Sequence, residues 1–252
     1  MIQTIRKAWN IPELRKKIVF TLLILLIYRI GNAIPVPYVD VGALAEYLNS
    51  MKTTVLGLYN VMSGGAFADA TVFALSIQPY INASIIIQLL TVAIPALERM
   101  AREEGEEGRK KIASITRYTT VGIGLIQGFA YYMLMRNQYN ILTNDSIAAA
   151  FVIIVTFVAG SAFIMWLGEQ ITEFGIGNGI SIILFASIIS RIPAGIGTMY
   201  SNREVLGVPG IVGILVGLLA LIVLITHVYN AERRIPVQYA KRQVGRKMYG
   251  GQ

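Results

Sequence analysis

Residues 60–88 are a membrane-type apolar run that has been interrupted. The first part, 60–73, is apolar but short and Gly-rich, with an acid at Asp69. As a helix it would span only about 21 Å, against a hydrocarbon core of roughly 30 Å. Pro79 then breaks the pattern, and a second apolar run continues to Pro95. The free N–H and C=O groups at a helix break find no partner in lipid, so such an end sits inside protein or lines a watery cavity. That geometry points to a pore or a transporter.

Five further runs are apolar and long enough to cross a bilayer: 18–34, 115–135, 147–167, 180–199 and 208–228. With 77–97 counted as one crossing, the sequence predicts an all-α, polytopic membrane bundle of six spans, its second helix broken into a half-helix at 60–73 and a full span. A basic amphipathic segment, 1–17, precedes the membrane domain, 18–229, and a basic polar tail, 230–252, follows it. Seventeen Lys and Arg lie in the N-terminal segment, the 98–114 loop with Arg117, and the tail, against four in the intervening loops (Lys52, Arg136, Arg191, Arg203). The positive-inside rule therefore places both termini in the cytoplasm. Arg29 and the five later spans argue against reading the first span as a cleaved signal peptide.

The chain has no cysteine and one histidine, His227, which excludes thiolate catalysis, disulfides and cysteine or paired-histidine metal sites within it. No catalytic residue, metal ligand or cofactor is expected, and an enzyme is not. Gly175-Ile176-Gly177-Asn178-Gly179 resembles a phosphate loop only in composition, because no strand precedes it; a tight turn that aims the helix starting near Ile180 is expected instead. Gly124 with Gly128, and Gly213 with Gly217, carry the four-residue spacing that lets helix backbones approach.

On a helix, Ile77, Ile81, Ser84 and Gln88 share one face. A wall that is dry at one level and wet at another and a bundle-facing stripe with two tolerated polar residues fit that spacing equally well. Ile180 and Leu184 repeat the i, i+4 apolar spacing at the start of the fifth run.

Three segments carry a resemblance to SecY, the central subunit of the protein-conducting Sec translocon. They are Phe73-Ala74-Leu75-Ser76-Ile77-Gln78-Pro79-Tyr80 with the residues on to Leu90, Met165-Trp166-Leu167-Gly168-Glu169-Gln170 with Gly175 to Ser181, and Arg233-Arg234-Ile235-Pro236-Val237-Gln238-Tyr239. The resemblance covers essentially the whole chain, read as the N-terminal half of a ten-span protein. It implies a channel that conducts unfolded polypeptide across the membrane and laterally into it. It implies a plug over 60–73, including Asn60, Ser63, Gly64, Gly65 and Asp69, and a pore ring of Ile77, Ile81, Ile180 and Leu184. Asn82, Ile85, Gln88 and Gln127 are implied at a lateral gate. Arg233, Arg234, Lys241, Arg242, Arg246 and Lys247 are implied as cytoplasmic partner contacts. The implied partners are small subunits of the SecE and SecG type, SecA or the ribosome with its RNA, the translocating polypeptide and the missing C-terminal half, and anionic lipids beside the tail. The implied location is the bacterial inner membrane. Half of a secondary transporter with a discontinuous helix is the alternative reading, since broken helices also build solute sites.

Overall fold

Proline, glycine and short polar caps set the helix boundaries. The computed structural model describes residues 9–51, 54–137, 141–233, 242–244 and 247–249. Helix α1, Pro12–Gly31, begins on a proline, whose missing N–H costs nothing in a first turn. Helix α2, Val41–Ser50, is capped by Asp40, which accepts from the Ala43 amide at 3.1 Å. A short helix, α3, spans Val55–Met62. Helices α4, Gln78–Ala93, and α5, Pro95–Arg102, meet at a 102° bend. The bend sits where Ile94 is extended ahead of Pro95, as a residue before proline prefers. Helix α6 runs Gly105–Arg136, and α7, Ile147–Phe174, is capped by Ser146. Helices α8, Gly179–Ile189, α9, Ile192–Ser201, and α10, Arg203–Tyr229, follow. Near its start α10 is kinked by left-handed Gly207, two residues ahead of Pro209.

The chain divides into two compact units, residues 1–193 and 194–252. The second holds α10 and a hairpin of β1, Arg242–Val244, and β2, Lys247–Tyr249, paired antiparallel with Arg242 opposite Tyr249 and Val244 opposite Lys247. Among the described residues, this hairpin adds two short strands to the helices and turns.

Three stretches among the described residues are long and apolar enough to cross a membrane: Ile147–Phe174, Gly179–Ser201 and Gly207–Tyr229. The bent α4–α5 pair makes a fourth. The count of six is thus not reached on that criterion. Helix α1 carries Arg15, Lys16, Lys17 and Arg29 within its 20 residues. Helix α6 opens on a charged turn, in which the Lys111 ammonium, hydrogen-bonded to Glu104 at 2.7 Å, is held above the ordinary lysine range.

Two apolar clusters organise the first unit. One joins Leu44, Leu75, Met135, Ile141, Ile153 and Phe157. The other joins Ile24 and Tyr28 of α1 with Phe73, Ile77, Ile164, Leu167, Ile171 and Ile183. Within the second, the Tyr28 hydroxyl lies 2.7 Å from Ser187 Oγ, tying α1 to α8. A Ser187→Ala change should cost about 0.6 kcal/mol, the usual scale for such a bond between membrane helices. Thermal unfolding in detergent measures it.

The spacing at Gly124 and Gly128 does place helices close together. A Cβ at Gly128 would meet the Ile154 carbonyl oxygen at 3.6 Å, so α6 packs on α7 there.

Candidate functional site

Residues 63–77 are wound in turns rather than helix. The short helix expected over 60–73 instead lies earlier, at Val55–Met62. The physical reason is the backbone: Gly64, Gly65, Ala70 and Ser76 all hold positive φ, which no right-handed helix accommodates. The turns are closed by their own polar groups. Asn60 Oδ1 accepts from the Ala68 amide at 3.0 Å, and Ser63 Oγ accepts from the Phe67 amide at 3.1 Å. Tyr131 of α6 donates to the Phe67 carbonyl, and Tyr59 donates to the Leu75 carbonyl at 3.0 Å. Ser63 and Gly65 are buried, Asn60 and Gly64 half-buried, and Asp69 exposed.

The segment is seated in notches made by glycines on the flanking helices. A Cβ at Gly160 of α7 would fall 1.9 Å from the Val72 carbonyl oxygen, and one at Gly31 of α1 would fall 1.9 Å from the Phe73 ring. Its other side meets the end of α8. A Cβ at Gly64 would lie 2.9 Å from the Ser187 carbonyl oxygen, and one at Gly65 would lie 2.8 Å from Arg191 Nη1. The 34–36 stretch clasps it from outside: the Val36 amide donates to the Ala70 carbonyl, and the Val72 amide to the Ile34 carbonyl, both at 2.9 Å. Pro35 and Thr71 therefore form a bridged antiparallel pair.

Directly after this segment the chain enters α4, and there the isoleucines converge. Ile77 is fully buried, and Ile81, Ile180 and Leu184 are half-buried against the same cluster. Two helices far apart in sequence thus present their i, i+4 pairs to one apolar locus. Gly168 of α7 marks where they meet. A Cβ there would be 3.2 Å from Ile180 Cγ1 and 3.6 Å from Ile77 Cδ1.

The position of Ile180 follows from the α7–α8 turn. Asn178 caps α8, its Oδ1 accepting from the Ile180 and Ser181 amides at 3.1 and 3.2 Å. The Gly179 amide donates to Thr172 Oγ1 at 2.9 Å, and the Ile176 amide to Thr21 Oγ1 of α1 at 3.2 Å. Gly177 takes the left-handed conformation the turn requires. Gly179 lies so close to α7 that a Cβ would be 2.0 Å from the Gly168 carbonyl oxygen. Sequence reasoning gave Thr21, Gly31, Gly160 and Gly168 no role at this site, although Gly168 stands within a motif that carries the family resemblance. Otherwise the only signal for the glycines was their presence inside runs that favour larger residues.

The four polar or gate-type positions are not gathered. Asn82 is half-buried, while Ile85 and Gln88 are exposed along α4. Gln88 lines a cavity with Ser84, Thr91, Arg109 and Thr116. Gln127 lines a different one, with Leu56, Tyr59, Phe67 and Leu75, and its buried Oε1 has no hydrogen-bond partner among the described residues. Of the basic tail residues, Arg233 is exposed, Arg242 and Lys247 lie in β1 and β2, and Arg234, Lys241 and Arg246 lie outside the described residues.

The SecY family model matches residues 71–252. The protein translocase subunit SecY of Streptomyces scabiei is 43% identical over all of this chain and 60% of that protein. The Escherichia coli subunit of the same name is 42% identical over 96% of this chain and 56% of its own length. The chain thus spans about 60% of the length of the relatives it matches. A solved protein-conducting channel superposes on 98% of this chain and 56% of its own, with a TM-score of 0.62 and 17% identity. The Sec61 channel of a canine ribosome-channel complex superposes on 92% of this chain and 54% of its own, with a TM-score of 0.62 and 18% identity. The helical architecture described above is therefore shared with solved channels. With the family model covering most of its length, the chain belongs to the SecY family.

Proposed function

We propose that this chain builds one half of a channel that passes unfolded polypeptide across the membrane and releases it sideways into lipid. The observation that carries the reading is the convergence of Ile77 and Ile81 of α4 with Ile180 and Leu184 of α8 on one apolar locus, capped by the turn segment at Phe73. Branched apolar side chains around a constriction exclude water when nothing fills it, and yield by rotamer change when a chain does. Such a device needs no chemistry, so the reading is of a channel and not an enzyme. Residues 60–73 act as the plug, held by Asn60, Ser63, Gly64 and Gly65, with Asp69 on its exposed side. Asn82, Ile85 and Gln88 of α4, with Gln127 of α6, serve the lateral opening.

The domain limits follow: a cytoplasmic lead-in over 1–17, a membrane domain over 18–229 and a basic cytoplasmic segment from 230. The charge asymmetry supports a topology with both ends of the chain in the cytoplasm, and the bacterial relatives support an inner (plasma) membrane location. Arg233, Arg234, Lys241, Arg242, Arg246 and Lys247 suit a partner with an acidic or phosphate-rich surface, as SecA or a ribosome presents, and anionic lipid beside it. Small membrane subunits of the SecE and SecG type and a second set of spans complete the pore.

In the complete channel, replacing Ile77, Ile81 and Ile180 together by glycine should raise the resting ion conductance severalfold, because the constriction would then stay wet. Single-channel recording in a planar bilayer measures this. A triple variant as tight as the parent would overturn the reading.

A further inference from the structure

One cavity of the first unit is lined by two carboxylates and two aromatic rings. It has a volume of 520 Å³ and is lined by Tyr80 of α4, Arg117 of α6, Trp166, Glu169 and Glu173 of α7, and Ile180 of α8. Trp166, Glu169 and Glu173 follow one another at three and four residues, so they share a face of α7. Arg117 Nε lies 2.8 Å from Glu169 Oε1, and these two charges cancel. Glu173 is exposed and enters none of the ion pairs among the described residues, which leaves the cavity one negative charge in excess. Trp166 is 49% exposed, its ring stacked on Phe163 with centroids 5.6 Å apart, and the half-buried Tyr80 lines the same cavity. Ile180 belongs both to this cavity and to the apolar locus, so the two are continuous at that residue.

A carboxylate in excess beside two aromatic rings is the chemistry that receives a guanidinium or ammonium group. We propose that this cavity is a binding site for a basic side chain, arginine before lysine, of an extended polypeptide lying against the Ile180 wall. Arginine is favoured because its planar head can pair with a carboxylate while lying on an aromatic face. The inference deepens the channel reading and names a chemical preference in what the site accepts.

The chain contains two tryptophans, Trp9 and Trp166. With Trp9→Phe, the emission of the chain reports on the cavity alone. The test uses the whole chain in nanodiscs of zwitterionic phosphatidylcholine, where a cationic peptide gains little from the lipid. The probe is an acetylated, amidated triarginine peptide, compared with tricitrulline, which has the same shape without the charge. The expected result is a saturable change in Trp166 emission with triarginine, weakened by salt and absent with tricitrulline. Glu173→Gln should weaken binding by about fivefold, and Arg117→Gln, which frees Glu169, should strengthen it by a similar factor. No saturable change, an equal response to tricitrulline, or indifference to both substitutions in chains of parental circular dichroism would each overturn the proposal. The measurement involves no conduction. A failed titration beside leaky ring variants discards this site alone, and saturable binding beside tight ring variants discards only the channel reading.

Discussion

Oxidising a Pro35→Cys, Thr71→Cys pair in an otherwise cysteine-free complete channel should cut polypeptide transport by roughly tenfold or more, and a reductant should restore it. The geometry is favourable. The Val36-to-Ala70 and Val72-to-Ile34 bonds flank the pair, making it the closely spaced, non-hydrogen-bonded kind in which Cα atoms stand about 4.5 Å apart. That separation lies within the range a disulfide spans. The chain itself holds no other thiol to mispair with. The cross-link would fasten residues 70–72 to the 34–36 stretch and so keep Phe73 in its notch at Gly31. Transport assays with a preprotein in reconstituted vesicles, before and after dithiothreitol, give the measurement. Undiminished transport through the oxidised channel would show that the turn segment does not have to leave.

The second large effect is expected at Gly179. Alanine there puts a Cβ 2.0 Å from the Gly168 carbonyl oxygen, and both groups belong to backbones that cannot rotate away. Helices α7 and α8 must separate, which breaks the Gly179 bond to Thr172 and carries Ile180 away from Ile77. The cost should reach or exceed the upper end of the roughly 1–3 kcal/mol typical of overpacked cores. Gly122→Ala is the matched control, since a Cβ there meets nothing within 4 Å. On a helix it should be neutral or gain up to about 1 kcal/mol. Thermal denaturation in one detergent compares the two. Equal midpoints would mean that the α7–α8 turn tolerates a side chain and that Ile180 is not fixed by it.

The long apolar runs around 147–174 and 207–229 were legible because length and hydropathy alone decide them. The pairing of Ile77 with Ile81, and of Ile180 with Leu184, was legible as spacing. That the two pairs meet was implied by the family resemblance alone, because nothing in the spacing of either segment names its neighbour. It depends on Gly168, a residue whose contribution is the volume it leaves empty. The stretch 63–77 misled for a related reason. Ala66-Phe67-Ala68-Asp69-Ala70 has ordinary helical propensity, and a local reading continues the helix through it. The structure instead holds Ala70 and Ser76 at positive φ, and the residues between them are seated against distant partners at Gly31, Gly160 and the 34–36 stretch. The bend after Ala93 was visible as Pro95, but its 102° angle was not. Gln88 and Gln127 look equivalent as polar residues in apolar helices, yet they line separate cavities at different heights along one face of α6, where Thr116 and Gln127 stand about three turns apart.

The backbone contact between Gly168 and Gly179 assigns mechanical roles to the two sides of the isoleucine cluster. Two main chains already at closest approach cannot be squeezed further, and the turn hydrogen bonds resist prising them apart. Helices α7 and α8 therefore behave as a stiff frame carrying Ile180 and Leu184. Whatever compliance the cluster has must come from α4, which is anchored at its start by turns and ends 16 residues later at a right-angled elbow.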